Sequence, residues 1–300
     1  MSSSAILGPG GVGGFLAGAL ARTGEDTVIV AREPTADLIS RQGLEVKSVR
    51  LGDFTAHPAA VARLDSAVDV LIVATKATTL DLALERIESI PRLVVPVLNG
   101  LDHMTTLRER FGRDQVAAGA IRIESNRPRG GLIVQTSPFL RVDLASDDPA
   151  LRAALGELAG ALERADVPAA LGPSEAQILW SKLVRLNALA LTTSAYDAPV
   201  GIIRTQHRAT LEACICEAAA VANADGADID PAKRMQELDE AHAELGSSMQ
   251  RDIAAGREPE LDAITGSVLR AAARHGLGCP TIARLALQVA ARAEIAAPVP

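Results

Sequence analysis

The chain has 300 residues, 48% of them hydrophobic and 22% charged, which is enough apolar surface for two ordinary domains and too much for a disordered one. Thirty basic against 37 acidic residues give a net charge of −7, and only 2% of residues are aromatic, which together exclude a basic, base-stacking nucleic-acid binder. Three cysteines cannot all pair, no Cys/His spacing fits a zinc site, and no run of 18 apolar residues offers a membrane span.

A thiol-containing chain of this kind suits a reducing cytoplasm, and the opening Met-Ser-Ser-Ser-Ala-Ile-Leu lacks the basic start of a secretory signal. Ala5–Leu7 reads as a short strand ended by glycines. Thr27–Ala31, Val68–Val73 and Leu93–Leu98 read as further strands, with Pro96 out of place in a central one. Val12–Arg22 and Thr78–Ile90 read as helices between them, and apolar strands alternating with helices imply a parallel sheet covered on both faces.

From Val116 to Leu144 the pattern changes to three strand-like stretches separated by turns, expected to extend that sheet as antiparallel strands. A helix over 148–165 follows, and Leu171-Gly-Pro-Ser174 reads as a boundary with Ser174 as the next N-cap. Beyond it the pattern is helical over 175–193, 207–225, 231–243, 259–275 and 280–293. Gly226 and Gly276 fall where C-terminal caps belong, and Pro231, Pro259 and Pro280 in first turns. The fold expected is α/β, an N-terminal Rossmann-type doubly wound sheet over 1–172 and an all-helical C-terminal domain over 173–300.

Gly8-Pro-Gly10-Gly11-Val12-Gly13 fits G-x-G-x-x-G directly after the first strand. In that place the first glycine makes the turn, the second admits a pyrophosphate to the backbone, and the third lets helix and strand pack closely. The helix N-terminus then offers amide donors to the phosphates. The second strand ends on Arg32, where an NAD site usually carries a carboxylate; a guanidinium there suits a 2′-phosphate, so NADP is the cofactor expected, with Glu33 the argument for NAD. Lys76, after the next long strand, adds a second positive charge or is a solvated loop residue.

Of the 30 basic residues only four are lysines, Lys47, Lys76, Lys182 and Lys233. Lys182 lies mid-helix with Ile178, Leu179, Arg185 and Leu186 three and four positions away. Desolvation and a neighbouring like charge both favour loss of an ammonium proton, which Arg could not supply. The plainer alternative is a lysine snorkelling at a helix edge. Glu260 in a helix's first turn and Asn99-Gly100 after a strand each have ordinary structural explanations, in helix-dipole and turn preferences.

Their joint order is more telling. Gly8–Gly13, Arg32, Thr75-Lys-Ala77, Leu98-Asn-Gly100, Trp180-Ser-Lys-Leu183, the Ser247–Asp252 stretch and 256–266 together resemble the ketopantoate reductase (2-dehydropantoate 2-reductase) family over nearly the whole chain. That resemblance implies an NADPH-dependent oxidoreductase acting on a CH–OH/C=O group, with ketopantoate as the name substrate and pantothenate biosynthesis as its setting. It implies Lys182 as the general acid, Glu260 as its acidic partner, Ser248 as a ligand of the substrate carboxylate, and Asn99 near nicotinamide and substrate. Gly8, Gly10, Gly11, Val12, Gly13, Arg32 and Lys76 would hold the cofactor, and no metal is needed.

The chain departs from the family at one helix face. The family carries Asn four and eight residues after the lysine; here Leu186 and Ala190 stand there, and Asn187 lies about 100° round the helix from Leu186. A more apolar carbonyl or imine substrate, as in secondary metabolism, is the first alternative. A non-catalytic NADP-binding sensor is the second, disfavoured by the retained Lys182 and Glu260. A small molecule is the partner expected, and the Ala/Leu-rich last helices are either core or a homodimer interface.

Overall fold

The apolar run Ser4–Leu7 (β1) is the middle strand of a five-stranded parallel sheet in the computed structural model, which describes residues 3–299. Met1, Ser2 and Pro300 lie outside the described residues, as do the parts of the leader and domain readings that fall on them. The chain continues through α1 (Gly11–Arg22), β2 (Thr27–Val30), α2 (Glu33–Gln42), β3 (Leu44–Ser48), β4 (Phe54–Ala56), β5 (Ala59–Val61), β6 (Val70–Val73), α3 (Leu80–Leu84), β7 (Leu93–Pro96) and α4 (His103–Phe111). The first sheet has the order β5-β2-β1-β6-β7, all parallel, so the order reverses at β1, as in a doubly wound fold. Leu7 is in register with Val30 and Val73, so the segments after β1, β2 and β6 leave the same edge of the sheet.

Pro96 fits because β7 is the last strand of this sheet and Pro96 its last residue. The helix expected over 78–90 is shorter: a 3-10 turn at Ala77–Thr79 and α3 end by Leu84, because Ile87 turns back to bridge Leu64. Tertiary pairing overrides helical periodicity there.

The stretch expected to extend the sheet forms a second one instead. β8 (Ala118–Arg129) and β9 (Leu132–Ala145) make a long antiparallel hairpin, the latter absorbing two of the three expected strands. β9 also pairs in parallel with β3 and with β10 (Ala169–Leu171), and β3 pairs with β4. Among the described residues a parallel bridge from Val94 to Val116, just ahead of β8, links this second sheet to the first. α1, buried at every position from Gly13 to Leu20, packs against both sheets. Its small residues permit this: a Cβ on Gly14 would come within 2.4 Å of Ile133, and one on Gly18 within 2.7 Å of Val46. α5 (Pro149–Arg164) is capped by Asp148, which accepts from the Ala150 amide at 2.9 Å.

Helices fill the rest: α6 (Glu175–Tyr196), α7 (Val200–Gln206), α8 (Arg208–Ala224), α9 (Pro231–Asp239), α10 (Ser248–Ala254), α11 (Ser267–Arg274) and α12 (Pro280–Ala293). Ser174 caps α6 through the Gln177 amide at 3.1 Å. The helix expected from Pro259 is regular only from Ser267, because Asp262–Gly266 winds as a π turn. α12 begins at Pro280 with Glu217 of α8 accepting from the Thr281 and Ile282 amides, both at 2.9 Å.

By contacts the chain forms two units. One holds the residues through Leu98 together with His103–Ile178; the other holds Asn99–Asp102 together with the residues from Leu179 onward. Four residues that follow β7 in sequence therefore belong with the helices.

Candidate active site

Gly8 turns the chain out of β1 with φ +94°, a left-handed conformation that a side chain would strain. Its amide donates to Val30 at 3.1 Å and its carbonyl accepts from Gly10 at 2.8 Å, which tightens the loop. Gly10 is the N-cap of α1, supplies no side-chain cap, and has open space where a Cβ would stand. The Gly11, Val12 and Gly13 amides lie in the first turn, which no intrahelical carbonyl can satisfy. A Cβ on Gly13 would lie 2.2 Å from the Gly8 carbonyl oxygen, so helix and strand meet there only without one. Thr75, packed against Gly8, keeps a buried hydroxyl with no hydrogen-bond partner. An open backbone at Gly10, unsatisfied amides and an orphaned hydroxyl fit a dinucleotide phosphate.

Arg32 follows β2 as the N-cap of α2, and Glu33 opens that helix; both are exposed. Lys76 is exposed at the N-cap of the 3-10 turn after β6. With the glycine loop, they follow three adjacent strands at their carboxyl ends.

Sequence reasoning missed β8's part. The Ser125 hydroxyl donates to the Gly11 carbonyl at 2.9 Å, the Arg127 guanidinium donates to the Pro9 carbonyl at 3.2 Å, and a Cβ on Gly11 would fall 2.3 Å from the Ser125 oxygen. Gly11 thus admits a strand of its own protein. No local pattern reveals this, because it depends on where the hairpin lies.

In the helical unit, Asn99 donates from Nδ2 to Glu260 Oε2 at 3.1 Å across 161 residues of sequence. Gly100, with φ +83°, lies so close that a Cβ would stand 1.9 Å from the Ala263 carbonyl oxygen. Lys182 is half-buried on α6. Arg185, expected to press a like charge on it, lies 3.8 Å from Glu237, so that repulsion is offset. Ser247 is buried, caps α10 through the Gln250 amide at 3.1 Å and shares a 2.9 Å hydrogen bond with Thr193, whereas Ser248 beside it is exposed.

Leu186 is half-buried and Ala190 1% exposed. Asn187 does turn away from that face: it is fully buried, and its Oδ1 accepts from the Thr265 hydroxyl in the π turn at 2.9 Å. Arg270, also unforeseen, bonds both Asp102 and Asp262, and these carboxylates, Asp262 foremost, raise its pKa further. Burial pushes the Cys214 thiol up to about 12 and the Cys279 thiol up to about 11, leaving both poor nucleophiles. Among the described residues no cluster of three or more His, Cys, Asp or Glu side chains is arranged for a metal ion, and no helix is long and apolar enough to cross a membrane.

Two family models match the chain: Ketopantoate reductase PanE/ApbA over residues 4–145, and Ketopantoate reductase PanE/ApbA C terminal over 176–293. The chain is 27% identical over 286 residues to an uncharacterized oxidoreductase YkpB of Bacillus subtilis, covering 92% of this chain and 94% of that one. It is 28% identical over 292 residues to a 2-dehydropantoate 2-reductase of Caulobacter vibrioides, covering 93% and 95%. A solved structure of D-mandelate dehydrogenase with NADH and anilino(oxo)acetate superposes with a TM-score of 0.88 at 20% identity, covering 97% and 98%.

Proposed function

Because the chain belongs to the ketopantoate reductase family, it is a nicotinamide-dependent oxidoreductase of the CH–OH/C=O class, and we propose that it reduces the carbonyl of a 2-oxo acid with NADPH. The observation that carries this reading is the Asn99–Glu260 hydrogen bond, which pairs two of the polar residues singled out in the sequence. When bound, the cofactor supplies hydride to the carbonyl carbon. The first-turn amides of Gly11, Val12 and Gly13, with the open backbone at Gly10, hold its pyrophosphate, and Arg127 adds a positive charge beside them.

Arg32 and Lys76 take the 2′-phosphate. Glu33 has work of its own, complementing the dipole at the start of α2, which supports giving the ribose to Arg32. Lys182 donates a proton to the carbonyl oxygen as it becomes a hydroxyl. Glu260, held by Asn99, orients that lysine and relays a proton from solvent back to it, and Asn99 presents its amide toward nicotinamide and substrate. Ser248 binds the carboxylate, a task its exposure suits better than that of buried Ser247. In sequence terms residues 1–172 serve the cofactor and 173–300 the substrate, with Asn99 the exception that serves both.

A second reading concerns substrate. Leu186 and Ala190 offer no hydrogen bonds from their side chains, and Asn187 spends its carbonyl oxygen on Thr265, so this face of α6 suits an apolar 2-oxo acid better than one with a hydroxyl to satisfy. The test is oxidation of NADPH, with NADH alongside, by purified protein over ketopantoate and bulkier alkyl and aryl 2-oxo acids. Faster turnover of the apolar substrates with NADPH is expected; preference for ketopantoate overturns the apolar reading, and preference for NADH overturns the Arg32 assignment. NADPH binding with turnover absent alike from wild type and Lys182→Ala would return the sensor alternative.

A further inference from the structure

Asn99 is held at Glu260 by more than its own hydrogen bond. The four residues Asn99–Asp102 lie along the turn that follows Glu260 and meet it at three points: Asn99 on Glu260, Gly100 against the Ala263 carbonyl, and Asp102 on Arg270. Arg270 makes the last of these and closes the turn at the same time. Its Nε and Nη2 donate to Asp102 Oδ2 at 3.2 and 2.7 Å, while Nη1 and Nη2 donate to Asp262 Oδ1 and Oδ2 at 2.8 and 3.1 Å. Nη2 also reaches the Asp262 carbonyl at 3.3 Å, and Nη1 the Val299 carbonyl at 3.3 Å.

Two carboxylates and two carbonyls take the planar fork of five donors; an ammonium of the same charge has three. The π turn at Asp262–Gly266 puts one extra residue into this stretch, and Arg270 bonds both the carboxylate and the carbonyl of its first residue. The carboxylates are 46% and 68% exposed, and pairs so placed add little to global stability. Their effect is on where the segment sits.

We infer that Arg270 is a positioning residue of the reductase site: by tying Asp102 to Asp262 it holds Asn99 against Glu260. This rests on the reading that Asn99 and Glu260 act in the reaction. Arg270 touches neither substrate nor cofactor in this role.

The experiment uses the full-length protein with Arg270→Gln, Arg270→Lys, Asn99→Ala and the double variant Asn99→Ala/Arg270→Gln. Amide hydrogen exchange of the peptide spanning 99–102 is read by mass spectrometry. NADPH oxidation gives kcat and the KM of both the cofactor and whichever 2-oxo acid the wild type turns over fastest. Arg270→Gln is expected to speed exchange at 99–102 by about tenfold while other segments hold, and to lower kcat by about 10- to 30-fold with the cofactor KM within about twofold. Arg270→Lys should recover only part of both. In the Asn99→Ala background, Arg270→Gln should cost less than about twofold more, because the two act through one contact.

Wild-type exchange and turnover in Arg270→Gln, beside an impaired Asn99→Ala, would overturn the positioning role alone. Losses that multiply fully in the double variant would do the same. Wild-type turnover in Asn99→Ala would overturn the site reading itself, and the inference with it.

Discussion

At the glycine loop, the groups offered to a ligand are amides and a bare Cα, placed by the turn at Gly8 and the start of α1. Around Glu260 they are side chains, and Asn99 holds Glu260 from far along the sequence, as Thr265 holds Asn187 behind them. The first kind tolerates almost any sequence that keeps its small residues. The second depends on the register of whole helices, so one residue of shift changes which group faces a substrate. A backbone-built region should therefore be lost through shape and a side-chain-built one through chemistry.

The largest effect tests the side-chain region. Lys182→Ala should lower kcat by about 10²- to 10⁴-fold with NADPH affinity retained, and Lys182→Arg should not rescue it, since a guanidinium does not give up its proton. Stopped-flow oxidation of NADPH checks this, and a small loss would move the proton donor elsewhere. Gly13→Ala tests the backbone region. A methyl group 2.2 Å from the Gly8 oxygen should separate helix from strand and cost about 1–3 kcal/mol of stability, with a loss of cofactor affinity that no added substrate repairs.

Arg32→Ala should sharpen the contrast within that region. Losing hydrogen bonds to a charged phosphate costs about 1.5–3 kcal/mol, so the preference for NADPH over NADH should fall by about 10- to 100-fold with kcat nearly unchanged. Asn187→Leu leaves the Thr265 hydroxyl without its buried acceptor but also removes the unpartnered Asn187 Nδ2, so a net loss of about 1 kcal/mol is expected by urea unfolding. The smallest effect is expected of Arg127→Ala, about a 3- to 10-fold rise in KM for NADPH and NADH alike, because a pyrophosphate contact cannot tell the two apart. A change confined to NADPH would place Arg127 beside Arg32 instead.

The parallel sheet was legible because β1, β2, β6 and β7 are short, apolar and separated by turns or helices, so periodicity alone marks them. β3 and β10 were not: their partner β9 lies some 80 residues from β3 and across α5 from β10, no local pattern carries that, and β4 is a three-residue strand laid against β3. The glycine loop could be read residue by residue, yet the pressure of Ser125 on Gly11 could not. In the helical unit, the turn of Asn187 away from Leu186 followed from helix geometry, and its burial against Thr265 needed the structure. The same holds for Arg270, whose two carboxylates are eight and 168 residues distant in sequence.

The place of Asn99–Asp102 bears on how separable the two units are. A fragment cut at the 172/173 boundary would carry every helix from α6 onward and still lack four residues of its own packing. Glu260 and Arg270 would meet water where they now meet Asn99 and Asp102. Contacts spanning more than 160 residues carry a loop-closure cost that contacts between neighbouring helices do not, so the completeness of the helical unit depends on residues that precede it in sequence. Gene fusions or domain exchanges within such a scaffold would have to carry the segment after β7 along with the C-terminal helices, or supply its equivalent.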